Sequence, residues 1–194
     1  MKLIFASNNK HKIKEISHIL DDRIKLLSLR DVSILEDIPE DEPLIEENAL
    51  FKARYVHKAT RMNVFADDTG LEVEALDGLP GVHSARFAGE TKDSSANIDK
   101  LLSMLSGKSN RRARFRTVIA LIYEDREYLF EGIVNGKITE DRSGYEGFGY
   151  DPVFLPEGKD VTFAQMSLDD KNSISHRAIA FNKLKTFLLR QPEP

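Results

Sequence analysis

Apolar and polar positions change period several times along the chain, and each change predicts an element. Leu3-Ile4-Phe5-Ala6 is a continuous apolar run suited to a buried strand, and after a polar stretch Ile13, Ile16 and Leu20 recur at helical spacing. Ile24 to Leu27 predicts a second strand. Ala49, Leu50, Ala53 and Val56 form a helical stripe ending near Met62, and Val64-Phe65-Ala66 predicts the third strand. Ile98, Leu101, Leu102 and Leu105 make another amphipathic stripe that stops at Gly107, where glycine can close a helix in the left-handed conformation. From Ala113 to Tyr123 and from Glu127 to Ile138 the residues are β-branched and aromatic, broken by Glu124-Asp125-Arg126, which predicts a long hairpin. A last helix is expected to begin near Ser175 as N-cap and to turn Ala178, Phe181, Leu184 and Leu188 inward. The order of elements is that of an α/β or mixed α+β fold around a long twisted sheet.

Composition narrows the picture. With 194 residues and 41% hydrophobic content the chain suits one domain over residues 1–194, with room for two lobes, and lacks repeats, low-complexity tracts and linkers; Gln191 to Pro194 reads as a tail. The 28 basic and 32 acidic residues leave a net charge of -4, so no global positive field is available to hold a nucleic acid polymer, and phosphate recognition has to be local. Cysteine is absent, which removes disulfides, thiolate metal sites and cysteine nucleophiles. The N-terminal apolar run turns polar at Ser7, too early for a signal peptide, and no run approaches a membrane span; a cytoplasmic protein without membrane contact is expected.

Four stretches concentrate chemistry. Ser7-Asn8-Asn9-Lys10-His11-Lys12 stands between the first strand and helix, where backbone amides and the helix dipole favour an anion; a polar capping loop with solvated lysines is the plainer alternative. Neither a phosphate-binding P-loop nor a dinucleotide fingerprint occurs. The acidic run from Glu36 to Glu47 reads as a solvated loop, whereas Asp67-Asp68-Thr69-Gly70, expected just beyond the third strand, is either a turn or a polar cluster at a sheet end, the usual place for a ligand. Gly144-Tyr145-Glu146-Gly147-Phe148-Gly149-Tyr150-Asp151-Pro152 combines glycines that let backbone approach a flat ligand with rings that can stack on a base, or is an irregular loop with its rings in the core. Lys171 and Ser175-His176-Arg177 bring cationic and planar donors to the last helix.

Together with Glu47-Asn48-Ala49, Lys52-Ala53-Arg54, Pro80-Gly81-Val82 and Ser84-Ala85-Arg86, these stretches follow one another as in a known family, and over nearly its whole length the chain resembles the inosine/xanthosine triphosphate pyrophosphatases. The resemblance implies two lobes around a long mixed sheet with the active site in a cleft between them, and a homodimer. It implies hydrolysis of non-standard purine nucleoside triphosphates (ITP, dITP, XTP) to the monophosphate and pyrophosphate. Ser7, Asn8, Asn9, Lys10, His11, Lys12 and Lys52 would hold the triphosphate, and Glu40 and Asp68 would bind Mg2+. Asp68, alone or with Asp67, would activate the water, with Thr69 beside it. Phe148 would stack on the purine beside Gly149 and Tyr150, while Asp151, Lys171, His176 and Arg177 would contact the base edge and position the nucleotide, Arg177 donating to the 6-oxo group. Glu40 is placed by spacing alone, because Glu42-Pro43-Leu44 lacks a glycine common in that loop. A nucleotide-sensing module without hydrolysis, or a pyrophosphatase for other modified nucleotides, are the competing functions.

Overall fold

Leu3 and Phe5 alternate with Ile4 and Ala6, and all four are buried. A strand apolar on both faces has to be covered on both. The computed structural model describes residues 1–191, so the expected tail lies outside the described residues except for Gln191. In chain order the elements are β1 (Lys2–Phe5), α1 (Lys10–Ile19), β2 (Lys25–Leu27), α2 (Ile45–Thr60), β3 (Val64–Val73), β4 (Pro80–Gly81), α3 (Ser94–Met104), β5 (Arg112–Tyr123), β6 (Arg126–Ile138), β7 (Phe154–Pro156), α4 (Leu168–Ile174) and α5 (His176–Leu188). The strand pairings are both parallel and antiparallel, giving the mixed α/β fold that the sequence predicts.

The chain divides into two compact units, and β3, β5 and β6 contribute residues to each. The first unit holds Met1–Asp68, Thr117–Gly132 and the chain from Arg177 onward. There β1 lies parallel to β2 (Ile4 opposite Leu27) and to β3 (Phe5 opposite Phe65). Leu3, Phe5 and Phe65 point toward Ile16 of α1 and Phe181, Leu184 and Leu188 of α5, and the Phe5 and Phe65 rings stack with centroids 4.5 Å apart. Ile4, Ala6, Val64 and Ala66 point the other way, toward Ala49, Ala53 and Val56 of α2. The inward stripe predicted for the last helix is buried as expected.

The second unit holds Thr69–Arg116 and Ile133–His176. Here β4 runs antiparallel to β3 and β7 antiparallel to β6, with Ile138 opposite Phe154. Its core, including Leu71, Val73, Ile98, Leu101, Phe115, Phe154 and Phe163, lies on one face of the strands. Arg112, Arg114, Asn135 and Lys137 alternate with it and are exposed.

Two expectations need correcting. The third strand does not end at Ala66 but continues through Asp67-Asp68-Thr69-Gly70 to Val73, so the aspartates are interior strand residues and no turn follows Ala66. Buried cations described below make this possible, since a carboxylate inside a sheet requires a partner. The hairpin break is also shorter than expected: Glu124 and Asp125 alone turn the chain, both at positive φ (49° and 60°), and Arg126 already belongs to β6.

Candidate active site

Successive strand residues face opposite sides, and β3 uses this to separate its two aspartates. Asp67 shares the side of Phe65, which is covered by α1 and α5; Asp68 shares the side of Ala66, which is covered by α2. Asp67 accordingly accepts Lys12 Nζ of α1 on Oδ1 at 3.0 Å and Arg177 Nε of α5 on Oδ2 at 3.1 Å. Asp68 Oδ1 lies 3.7 Å from Lys52 Nζ of α2. That ammonium also donates to the Asp67 carbonyl oxygen at 2.7 Å and to Glu40 Oε1 at 2.5 Å. Behind Arg177, its Nη1 donates to Glu15 of α1.

The two carboxylates respond differently to burial. For Asp67, burial alone would raise the carboxyl, but Lys12, Arg177 and Lys52 hold it well below the usual carboxylate range. Burial pushes the Asp68 carboxyl above its ordinary value, against the pull of Lys52 and Lys12. The lysines diverge as well. Burial, only partly offset by Asp67, lowers Lys12, whereas at Lys52 burial is outweighed by Asp68, Glu40 and Asp67 and the ammonium is held above its ordinary value.

In this cluster the carboxylates of Glu15, Glu40, Asp67 and Asp68 face the cations of Lys12, Lys52 and Arg177. Asp68 Oδ2 is buried and accepts no hydrogen bond among the described residues. A buried carboxylate oxygen without a donor fits either a cation or a water held for reaction. No group of three histidine or carboxylate ligands exists among the described residues, so a cation here would complete its shell with water and phosphate oxygens, as the hard magnesium ion prefers.

The loop before α1 is only partly the cradle expected from its position. Asn9 caps the helix, its Oδ1 accepting from the amides of His11 and Lys12, which therefore are already satisfied. Ser7 Oγ accepts from Asn9 N, Asn8 hydrogen-bonds Asp37, and Lys10 and His11 are exposed. Of this stretch, Lys12 reaches the carboxylate cluster.

The second unit carries the aromatic-glycine loop. Asp151 is buried, and its Oδ2 accepts both the Phe148 amide (2.9 Å) and Lys171 Nζ (2.6 Å), which lies 5.0 Å from the centroid of the half-buried Phe148 ring. Gly147 makes room for this arrangement: at φ +78° a Cβ there would stand 2.1 Å from Asp151 Oδ2. The His176 ring stacks on Phe115 with centroids 4.5 Å apart. Tyr150, expected at the substrate, is instead a core residue whose hydroxyl donates to the Ser84 carbonyl oxygen at 2.9 Å. Thr69 is half-buried within β3, and Gly149 takes positive φ beside Tyr150.

Lys12, Glu40, Lys52 and Asp68 thus meet in the first unit, and Phe148, Asp151, Lys171 and His176 gather in the second. Arg177 is buried in the first unit, where it donates to Glu15 and Asp67, since a buried guanidinium has to be matched by carboxylates. Glu15, and the clamping of Asp67, are absent from the sequence reading. Glu15 lies next to Ile16 on the inner side of α1, the one trace it leaves in the pattern.

Known proteins place the chain further. The Ham1 family model matches residues 3–187. Among curated relatives, the dITP/XTP pyrophosphatase of Porphyromonas gingivalis is 53% identical over 97% of both chains, and that of Bacillus subtilis is 47% identical over 95% of this chain and 96% of its own. Among solved structures, the Ham1 protein of Staphylococcus aureus superposes with a TM-score of 0.89 at 41% identity, covering 97% of this chain and 98% of its own. A HAM1 protein of Coxiella burnetii reaches a TM-score of 0.91 at 36% identity, covering 98% of this chain and all of its own. A match over almost the entire sequence, carried by the same strands and helices that assemble the buried carboxylate cluster, makes this chain a member of the Ham1 family.

Proposed function

We propose that this protein is a nucleoside triphosphate pyrophosphatase that converts non-standard purine nucleoside triphosphates such as dITP and XTP to the monophosphate and pyrophosphate. The observation that carries this assignment is the 53% identity over 97% of both chains to a dITP/XTP pyrophosphatase, together with a lysine-carboxylate cluster of the right chemistry. Lys12 and Lys52 bind and neutralise the triphosphate, with Ser7 and Asn9 beside them. Glu40 and Asp68 would hold magnesium, which would supply charge neutralisation on the phosphate oxygens.

Cleavage between the α and β phosphates needs a water aimed at the α-phosphorus. Asp68 suits the task of orienting that water and taking its proton, since its Oδ2 is buried and has no donor among the described residues. Asp67 is the weaker base, held charged by Lys12 and Arg177. Base recognition falls to the second unit. Phe148 stacks on the purine, and the Lys171 ammonium, a donor only, suits a 6-oxo acceptor and opposes a 6-amino group. The resemblance further supports a homodimer working in the cytoplasm; among the described residues no helix is long and apolar enough to cross a membrane.

Steady-state pyrophosphate release across a panel of dITP, XTP, dATP, dGTP and dCTP, with magnesium and with chelator, tests the assignment. Release from dITP and XTP that stops on chelation is expected. Tight nucleotide binding without pyrophosphate release would make the protein a sensor instead.

A further inference from the structure

From the way α2 meets the acidic loop we propose that Asn48 is a positioning residue for the magnesium site, acting on Glu40 through the backbone of Glu42; this rests on the reading of Glu40 and Asp68 as the metal's ligands. From residue 37 to residue 42 the chain is in neither helix nor strand, and Glu40 stands within this stretch. Glu42 precedes Pro43, and a residue before proline is biased to the extended conformation, in which its own N–H and C=O point to one side. Asn48 Oδ1 accepts that N–H at 3.1 Å, and Asn48 Nδ2 donates to that carbonyl oxygen at 3.1 Å. A neighbouring strand residue would make the same pair of bonds, and a primary amide supplies both halves from one side chain. Asn48 is nearly inaccessible and is the fourth residue of α2, so the clasp is anchored to a helix packed on the sheet.

One turn further along the same face, Lys52 donates to Glu40 Oε1 at 2.5 Å and stands 3.7 Å from Asp68 Oδ1. An ammonium is a compact charge that receives a carboxylate from many directions, so where Glu40 stands relative to Asp68 depends also on the backbone that carries it. Asn48 fixes that backbone two residues away. Glu42 is exposed, so its N–H and C=O can turn to water when the amide is removed, and the loss falls on the placement of Glu40 more than on the fold.

The test is a cycle on the full-length protein of wild type, Asn48→Ala, Glu40→Gln and the double variant, each checked for folding by thermal melting. Two quantities are read: the Kd of Mn2+ for the nucleotide-free protein, from the loss of the free ion's paramagnetic signal, and the Mg2+ concentration that gives half-maximal pyrophosphate release from saturating dITP. Asn48→Ala is expected to raise both by about tenfold or more, the size of effect that outer-shell partners of a metal site show, while kcat at saturating Mg2+ changes by less than about threefold. In the Glu40→Gln background the same substitution should add almost nothing. An unchanged Mn2+ affinity in folded Asn48→Ala, or a loss of equal size with and without the Glu40 carboxylate, overturns the proposal. Should Asn48→Ala fail to fold, Asn48→Asp carries the same cycle, since it keeps the size and the acceptor for the Glu42 N–H but loses the donor. Its added charge acts in both backgrounds, so weakening confined to protein with Glu40 intact supports the proposal, and any other result overturns it. Wild-type protein that binds no Mn2+, or Glu40→Gln that binds it as wild type does, overturns the ligand reading and the proposal with it. Wild-type protein that binds Mn2+ but releases no pyrophosphate from dITP refutes the pyrophosphatase assignment instead, and the manganese cycle still decides the role of Asn48.

Discussion

The two units solve opposite problems with the same strands. In the first, both faces of the sheet are covered by helices, and the functional groups are charges sunk into that interior, each matched by a partner from another element. In the second, the described core covers one face, and the candidate groups are a ring and a loop whose Phe148 amide bonds the Asp151 carboxylate. Buried charges give fixed positions and shifted proton affinities, at a high cost when a partner is lost. A half-buried ring on a pinned loop offers a contact surface with little electrostatic consequence. The first arrangement suits chemistry on phosphates, and the second suits selection of a base.

Substitutions should therefore separate into chemical and recognition effects. The largest is expected for Asp68→Asn, which should lower kcat for dITP by about 10³-fold with a folded protein, as removal of a general base does; rates near wild type in stopped-time pyrophosphate assays would assign the base elsewhere. Lys52→Met should cost about 3 kcal/mol of stability in urea unfolding, because Glu40 and Asp68 lose their shared buried counter-charge. Phe148→Ala should weaken dITP binding by about tenfold with kcat nearly kept, the value of one base-ring stack, and its unfolding midpoint should barely move. On the bare sheet face, removing the Arg114 partner of Glu72 by Arg114→Ala should change stability by less than about 1 kcal/mol, as for an exposed pair.

Acid titration sharpens the contrast within the first unit. The Asp67 carboxyl is depressed in the folded protein, so its contribution to stability is complete above the unfolded value of 3.8 and is lost as pH falls through the lower folded value. Asp68 is raised, so it has the opposite sign: its contribution is present below 3.8 and is lost as pH rises through the higher folded value. Asp67→Asn should thus be less stable than wild type at neutral pH, the two converging only well below pH 3.8 in denaturant melts. A constant gap down to the lowest pH would show that Asp67 is not the clamped charge described.

Periodicity carried the strands and helices of the first unit because, outside the ion cluster, its buried positions are mostly apolar, and Leu3 to Ala6 or the stripe of α5 admit few alternatives. It failed at Asp67-Asp68, where a polar pair resembles a turn. Only cations from residues 12, 52 and 177 make that pair acceptable in mid-strand, and no local window contains them. Glu15 stayed hidden for the same reason, since its partner is 162 positions away. Arg177 was legible as important, although its target was not: a donor fork looks alike whether it reads a ligand or holds a carboxylate. Tyr150 went the same way, its ring belonging to the core and its neighbours to the loop.

The alternation of Asp67 and Asp68 also bears on what evolution can do with this strand. Deleting one residue between Val64 and Ala66 would turn the following side chains over, presenting to α2 the aspartate now locked by α1 and α5 and sending its neighbour into the lock. Such a slip would exchange the places of the two carboxylates, so the length of this short stretch matters to the cluster in a way that the exchange of one apolar residue for another does not.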